Sequence, residues 1–131
     1  MSVLLVTNDF PPTVGGIQSY LRDYVNEYIA RCGAEKIVVF ASTPEGNEGT
    51  EAFDAVQPFQ VVRWPRRVML PTPATKRRMQ ELIREHSIDT VWFGAAAPLG
   101  LMGKAAKQAG AKRVVATTHR HADGWSMLPG V

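Results

Sequence analysis

The first twenty residues constrain the fold of this chain more than any other segment. Residues 3–6 read Val-Leu-Leu-Val, an apolar run typical of a buried parallel strand. Gly15 and Gly16 then precede an amphipathic segment at residues 17–31. Because a strand that leads through a glycine-rich turn into a helix directs free backbone N–H groups to one spot, it favours a phosphate or carboxylate ligand. The segment predicts an α/β protein that binds an anionic ligand at the carboxyl edge of its sheet.

The glycine pair does not match the two best-known phosphate-binding motifs. The chain has no G-x-G-x-x-G with an acidic residue closing the second strand, and no Gly-Lys-Ser/Thr after the pair. Taken alone, Gly15 and Gly16 are compatible with a tight turn as well as with a ligand-binding loop.

The rest of the chain alternates predicted strands with predicted helices. Thr72 and Pro73 stand where an N-cap and a first helical residue belong, and this second helix ends near residue 86. Residues 43–57 are rich in turn formers and predict a polar loop. Further strands are predicted at residues 37–40, 60–64, 90–93 and 113–117, and a third helix at residues 99–109, closed by Gly110. This order predicts a Rossmann-like parallel sheet with helices on both faces.

The bulk composition indicates one soluble domain over residues 1–131. No apolar stretch approaches the ~20 residues that span a bilayer, and the N-terminus lacks the pattern of a signal peptide. The single cysteine, Cys32, cannot form an internal disulfide, which suits a reducing cytoplasm. The residues after the fifth strand include no helix to cover it, which predicts a truncated domain.

The charges are distributed unevenly although the formal net charge is only +3. Residues 43–57 contain acidic but no basic side chains, whereas residues 63–78 contain basic but no acidic ones. The basic residues of this stretch are Arg63, Arg66, Arg67, Lys76, Arg77 and Arg78. Only Trp64 accompanies them as an aromatic residue, so nucleic acid is disfavoured as a partner. An anionic membrane surface fits better, because Val68, Met69 and Leu70 form an apolar tip between two basic groups, while a solvated helix face remains the alternative.

Two histidines follow the predicted fifth strand, at the edge where open α/β sheets bind ligands. His119 and His121 can each donate a hydrogen bond or act as acid or base, and each is also compatible with a polar loop. A metal site is disfavoured, because only Asp123 lies close to the pair in sequence.

Several segments of unusual composition identify a family resemblance. The run Val6-Thr7-Asn8-Asp9-Phe10-Pro11-Pro12 with Gly15-Gly16-Ile17-Gln18-Ser19-Tyr20-Leu21 resembles the N-terminal domain of retaining glycosyltransferases built from two Rossmann-like domains, the GT-B architecture. More specifically, four further blocks look like the GDP-mannose-dependent phosphatidylinositol-monomannoside mannosyltransferases. These blocks are Arg63-Trp64-Pro65-Arg66, Val68-Met69-Leu70-Pro71-Thr72-Pro73, Val91-Trp92-Phe93-Gly94-Ala95-Ala96-Ala97-Pro98-Leu99 and Gly124-Trp125-Ser126-Met127-Leu128-Pro129.

The resemblance implies a role for each candidate site residue. Gly15 and Gly16 would approach the pyrophosphate of the donor, Gln18 the inositol ring of the acceptor, and His119 the transferred sugar. Basic residues would meet the acceptor's phosphate head group and the membrane. By this resemblance, Arg66 and Arg67 would contact the acceptor, and Lys76, Arg77 and Arg78 would contact the membrane.

Two departures from the family pattern concern the site. The family reads Thr-His-Gly-His-Glu-x-Gly-Trp, whereas this chain has Arg120 at the first glycine and Ala122 at the glutamate. An L-residue reaches some backbone conformations of glycine only at a cost, so Arg120 predicts a rearranged or impaired loop. The family's second, nucleotide-binding C-terminal domain is also missing from these 131 residues.

The function implied is that of an acceptor-side domain in a mannosyltransferase. Mannose would move from GDP-mannose to a phosphatidylinositol mannoside with retention of configuration, without a metal or other cofactor, at the inner face of the cell membrane. This chain alone is expected to be inactive. The alternative is a non-catalytic α/β module that binds anionic lipid.

Overall fold

Six strands form one sheet, in the order β3-β2-β1-β4-β5-β6. A computed structural model describes residues 2–8, 10, 16–43, 49–94, 99–120 and 124–129. The strands are β1 (Val3–Thr7), β2 (Ile37–Ser42), β3 (Gln60–Trp64), β4 (Thr90–Phe93), β5 (Arg113–Arg120) and β6 (Gly124–Pro129). The first five run parallel to their neighbours, which confirms the predicted parallel α/β sheet.

In the described ranges, four α-helices lie between the parallel strands in sequence, and they cover both faces of the sheet. They are α1 (Gly16–Cys32), α2 (Thr50–Ala55), α3 (Pro73–Glu85) and α4 (Gly103–Gln108), with short 3₁₀ turns at Ala34–Lys36 and Leu99–Met102. On one face Leu21 and Val25 of α1 pack against Leu5 and Val39. On the other face Leu4 and Val6 lie in one buried cluster with residues of α3 and α4. Side chains of β1 alternate between the two cores because successive strand residues point to opposite faces.

Capping residues set one boundary each of α1 and α3, and the capping of α3 confirms the prediction. Gly33 follows α1 with a φ of 99°, and its N–H donates to the Ile29 carbonyl oxygen over 2.9 Å. Thr72 caps α3, since its Oγ1 accepts a hydrogen bond from the Thr75 N–H at 3.3 Å, and Pro73 is the first helical residue. The C-terminal end of α1 and the N-terminal end of α3 are therefore set by local sequence.

Two elements were missed by the sequence analysis. The predicted polar loop at residues 43–57 contains the short helix α2, which begins after Gly49. The predicted end of the sheet is also wrong, because β6 pairs antiparallel with β5 from Val115↔Pro129 to Arg120↔Gly124. This pairing extends β5 to Arg120, three residues past its predicted end. A proline is tolerated in β6 because that strand lies at the sheet edge.

Candidate functional site

At the carboxyl edge of the sheet, hydrogen bonds join the ends of three strands, β1, β2 and β4. Ser42 Oγ donates a hydrogen bond to the Asn8 carbonyl oxygen at 3.0 Å, and the Gly94 N–H donates to the Val6 carbonyl oxygen at 2.9 Å. A Cβ at Gly94 would lie 2.6 Å from Thr7 Oγ1, so only glycine allows β4 to end this close to β1. Open α/β sheets bind their ligands at this edge.

The start of α1 lies at the same edge. Leu21 Cδ1 is 3.2 Å from the position that a Cβ on Gly94 would occupy, so the first turns of α1 lie beside the end of β4. Gly16 is the first residue of this helix and Gln18 the third, while Gly15 falls outside the described residues. The first turn of an α-helix presents N–H groups that suit an anion, and an anionic ligand at this place stays a prediction.

Asn8 fastens the segment that follows β3 to the end of β1. Its Nδ2 donates to the Met69 carbonyl oxygen at 3.0 Å, and its Oδ1 accepts from the Met69 N–H at 2.6 Å. Both backbone groups of a fully buried residue are thereby satisfied by one side chain. The polar residue directly after β1 was a signal for this role, but its partner lies 61 residues away.

Arg66 and Arg67 belong to the segment that follows β3, and they lie at the carboxyl edge of the sheet. The Thr43 N–H donates to the Arg66 carbonyl oxygen at 3.0 Å, and Thr43 Oγ1 donates to the Trp64 carbonyl oxygen at 2.7 Å. Both arginine side chains are exposed. The structure thus brings the two predicted acceptor-binding arginines to the same sheet edge as Gly16 and Gln18.

Arg63 does not belong to the basic surface with which the sequence analysis grouped it. Its Nη2 lies 2.9 Å from Asp54 Oδ1 and its Nε 3.0 Å from Asp54 Oδ2, with side chains only 12% and 18% exposed. Its Nη1 also donates to the Ser42 carbonyl oxygen at 2.9 Å, and its guanidinium lies over the Phe10 ring. Arg63 therefore ties α2 to β3 and is not available to a ligand.

The apolar tip between the basic groups is smaller than the sequence suggests. Val68 and Leu70 are 48% and 50% exposed, but Met69 is fully buried in the hydrophobic core. Alternate residues of the segment thus face opposite ways, and two of the three predicted tip residues remain on the surface.

Lys76, Arg77 and Arg78 occupy the first two turns of α3. Arg78 Nη1 lies 3.3 Å from Glu81 Oε1. No ion pair forms at Lys76 or Arg77 within the part of the chain that the structure describes. The three positions are consequently not equivalent, and Lys76 and Arg77 are the two whose charge is uncompensated.

His119 lies within β5 rather than after it. Its backbone pairs with Trp125 of β6, whereas His121 falls outside the described residues. The antiparallel pairing with β6 is what continues the strand past the predicted end. The role of His119 beside the transferred sugar stays a prediction.

In the part of the chain that the structure describes, no three histidine, cysteine, aspartate or glutamate side chains cluster as a metal site, and independence from metal stays a prediction. No helix of that part has the length and apolar character needed to cross a bilayer. Partial burial, reinforced by the nearby Cys32, raises the pKa of the Tyr28 hydroxyl on α1, which donates to the Lys36 carbonyl oxygen.

Comparison with known proteins identifies relatives of one kind. Residues 14–130 match the model of Glycosyltransferase Family 4. A GDP-mannose-dependent monoacylated alpha-(1-6)-phosphatidylinositol monomannoside mannosyltransferase of Corynebacterium glutamicum is 61% identical over 97% of this chain and 32% of its own length. GDP-mannose-dependent alpha-(1-6)-phosphatidylinositol monomannoside mannosyltransferases of Mycolicibacterium smegmatis and Mycobacterium tuberculosis are 52% and 51% identical over 97% of this chain and 32% and 33% of their own lengths. The chain spans about a third of these relatives and matches their N-terminal part.

Proposed function

The chain belongs to glycosyltransferase family 4, and we propose that it forms the acceptor-side domain of an enzyme that transfers mannose from GDP-mannose to a phosphatidylinositol mannoside. The observation that carries this proposal is the shared position of Arg66, Arg67 and the start of α1 at one sheet edge, in a chain 61% identical to a relative named for this reaction. A cationic pair and a helix N-terminus at one edge provide for the two anionic substrates.

Arg66 and Arg67 hold the phosphate of the acceptor head group. A guanidinium presents donors in a fixed fork that matches two phosphate oxygens, which orients the head group as well as attracting it. Gln18, in the first turn of α1, contacts the inositol ring. These contacts bring the acceptor hydroxyl to the donor, and such positioning contributes several kcal/mol to catalysis.

The donor pyrophosphate approaches Gly15 and Gly16, where the absence of side chains leaves the backbone N–H groups accessible. His119 stabilises the transition state by hydrogen bonding near the transferred mannose, without becoming a covalent nucleophile. Transfer retains the anomeric configuration and requires no metal. A nucleotide-binding C-terminal domain holds the guanosine, and the two domains work at the inner face of the cell membrane.

A second candidate function is a non-catalytic module that binds anionic lipid. The exposed Val68 and Leu70, together with the uncompensated charges of Lys76 and Arg77, favour it. It differs from the first candidate in predicting no mannosyl transfer in any context.

A chimera separates these candidates. Residues 1–131 replace the matching third of the Corynebacterium glutamicum relative, and transfer from radiolabelled GDP-mannose to the monoacylated phosphatidylinositol monomannoside is measured. We expect the chimera to transfer mannose and the isolated chain to transfer none, because half of a cleft cannot position both substrates. The unaltered relative is the control. A folded chimera that binds GDP but transfers no mannose would contradict the proposal.

A further inference from the structure

Thr43 is the first residue after β2, and it binds the segment that follows β3 on both sides of Pro65. Its N–H donates to the Arg66 carbonyl oxygen at 3.0 Å, and its Oγ1 donates to the Trp64 carbonyl oxygen at 2.7 Å. Proline has no N–H, so the parallel ladder between β2 and β3 cannot continue through Pro65. The Thr43 hydroxyl therefore supplies a hydrogen bond at the point where the ladder ends.

The backbone that carries Thr43 is itself held in place. Ser42, the residue before it in the chain, is only 4% exposed. Ser42 Oγ donates to the Asn8 carbonyl oxygen at 3.0 Å, and the Ser42 carbonyl oxygen accepts from Arg63 Nη1 at 2.9 Å. Because these bonds tie Ser42 to β1 and β3, Thr43 offers a fixed anchor to the segment that it binds.

The two candidate acceptor arginines lie between two such anchors. Thr43 holds the backbone at Arg66, and Asn8 holds it at Met69, with Arg67 between them. Fixing both ends of so short a stretch removes much of its backbone freedom before any ligand binds. An arginine that starts from a fixed backbone loses less conformational entropy when it binds a phosphate, and this preorganisation favours binding.

We propose that Thr43 is a positioning residue for the acceptor, which fixes the backbone from which Arg66 and Arg67 reach the phosphate. The Thr43 hydroxyl has one proton and donates it to Trp64, so none remains for a hydrogen bond to a phosphate oxygen. Thr43 therefore acts through the arginines. The inference rests on the proposed function, because it takes the two arginines as the acceptor contacts.

The test uses the chimera with Thr43→Val, which replaces the hydroxyl by a methyl group and removes the side-chain hydrogen bond to Trp64. The KM for the phosphatidylinositol mannoside should rise about fivefold, the change that corresponds to one lost hydrogen bond. The kcat and the KM for GDP-mannose should stay nearly unchanged. Thr43→Ser keeps the hydroxyl and should restore the acceptor KM.

Thr90→Val is the matched control. Thr90 is 7% exposed at the amino end of β4, and its Oγ1 donates to Asp89 Oδ1 at 3.0 Å. Its variant also loses a buried hydroxyl, but at the edge of the sheet opposite the candidate site, so it should alter none of these constants. An equal rise in acceptor KM for Thr43→Val and Thr90→Val, or a Thr43→Ser variant as weak as Thr43→Val, would overturn the positioning role.

A second measurement on the same chimera needs no mannosyl transfer. Trypsin cleaves after arginine, and its rate follows the population of the opened segment when opening and closing are fast. Thr43→Val should therefore release peptides that end at Arg66 or Arg67 about fivefold faster, whereas Thr90→Val should not. Unchanged release of these peptides from the Thr43→Val chimera would overturn the anchor.

The failures of the two proposals can be told apart. If the combined change of Arg66 and Arg67 to glutamine leaves the acceptor KM unaltered, the proposed acceptor site fails. If that change raises the acceptor KM and Thr43→Val does not, only the positioning role of Thr43 fails.

Discussion

Asn8 helps to fix the geometry of the carboxyl edge. It is the link between the end of β1 and the segment that carries Arg66 and Arg67, through two hydrogen bonds to Met69. A side chain that mimics a neighbouring strand in this way fixes a loop without lengthening the sheet. The two arginines proposed to bind the acceptor are accordingly held by a residue that need not contact the acceptor itself.

Asn8→Ala should lower the free energy of unfolding by about 2 kcal/mol, because the N–H and C=O groups of buried Met69 both lose their partner. Urea unfolding followed by tryptophan fluorescence measures this change. Asn26→Ala, at an exposed asparagine of α1, is the control and should change the free energy of unfolding by less than about 0.5 kcal/mol. Similar small losses in both variants would show that the Asn8 contacts do not hold the segment.

At the scale of elements, α2 depends on a tertiary ion pair. The helix has only six residues, begins after a glycine and has no side-chain N-cap, so its own sequence stabilises it little. The Arg63–Asp54 pair joins it to β3 and is largely shielded from water. Removing the carboxylate would leave the guanidinium partly buried without its counter-charge.

Asp54→Asn should therefore destabilise the chain by about 3 kcal/mol. Glu27→Gln is the matched control, because the Glu27–Arg31 pair has a similar separation of 2.8 Å but side chains 63% and 75% exposed. An exposed pair contributes less than about 1 kcal/mol. Thermal unfolding of both variants gives the comparison, and equal shifts in melting temperature would refute the structural role assigned to Arg63.

The elements α2 and β6 show the limit of what the sequence predicts. Long periodic or apolar runs set β1, α1 and α3, and the bounds of β3 and β4 were predicted to the residue. In contrast, α2 is too short to show a helical period, and β6 contains Gly124, Ser126 and Pro129, which break an apolar run. Both form through contacts with other elements.

In the site, the edge at which Gly16 and Gln18 lie was predictable from the sequence. The Asn8–Met69 link was not predictable, because it joins distant positions that no local pattern connects.

At the scale of the whole molecule, the sheet order brings the site residues together. β1 is central, with β2 and β3 on one side and β4 and β5 on the other, all with their carboxyl ends at one edge. α1 begins at this edge after β1, and Arg66 and Arg67 follow β3. One edge therefore carries both the candidate acceptor contacts and the candidate pyrophosphate contacts.

The Michaelis constants of the chimera for its two substrates test the central claim most directly. With Arg66→Gln and Arg67→Gln combined, the KM for the phosphatidylinositol mannoside acceptor should rise at least about tenfold, since each charge-assisted hydrogen bond contributes about 1.5 kcal/mol or more. The KM for GDP-mannose should stay nearly unchanged. Arg84→Gln, at an exposed arginine in the last turn of α3, is the control and should alter neither constant. An unchanged acceptor KM, or an equal rise in both constants, would contradict an acceptor site at this edge.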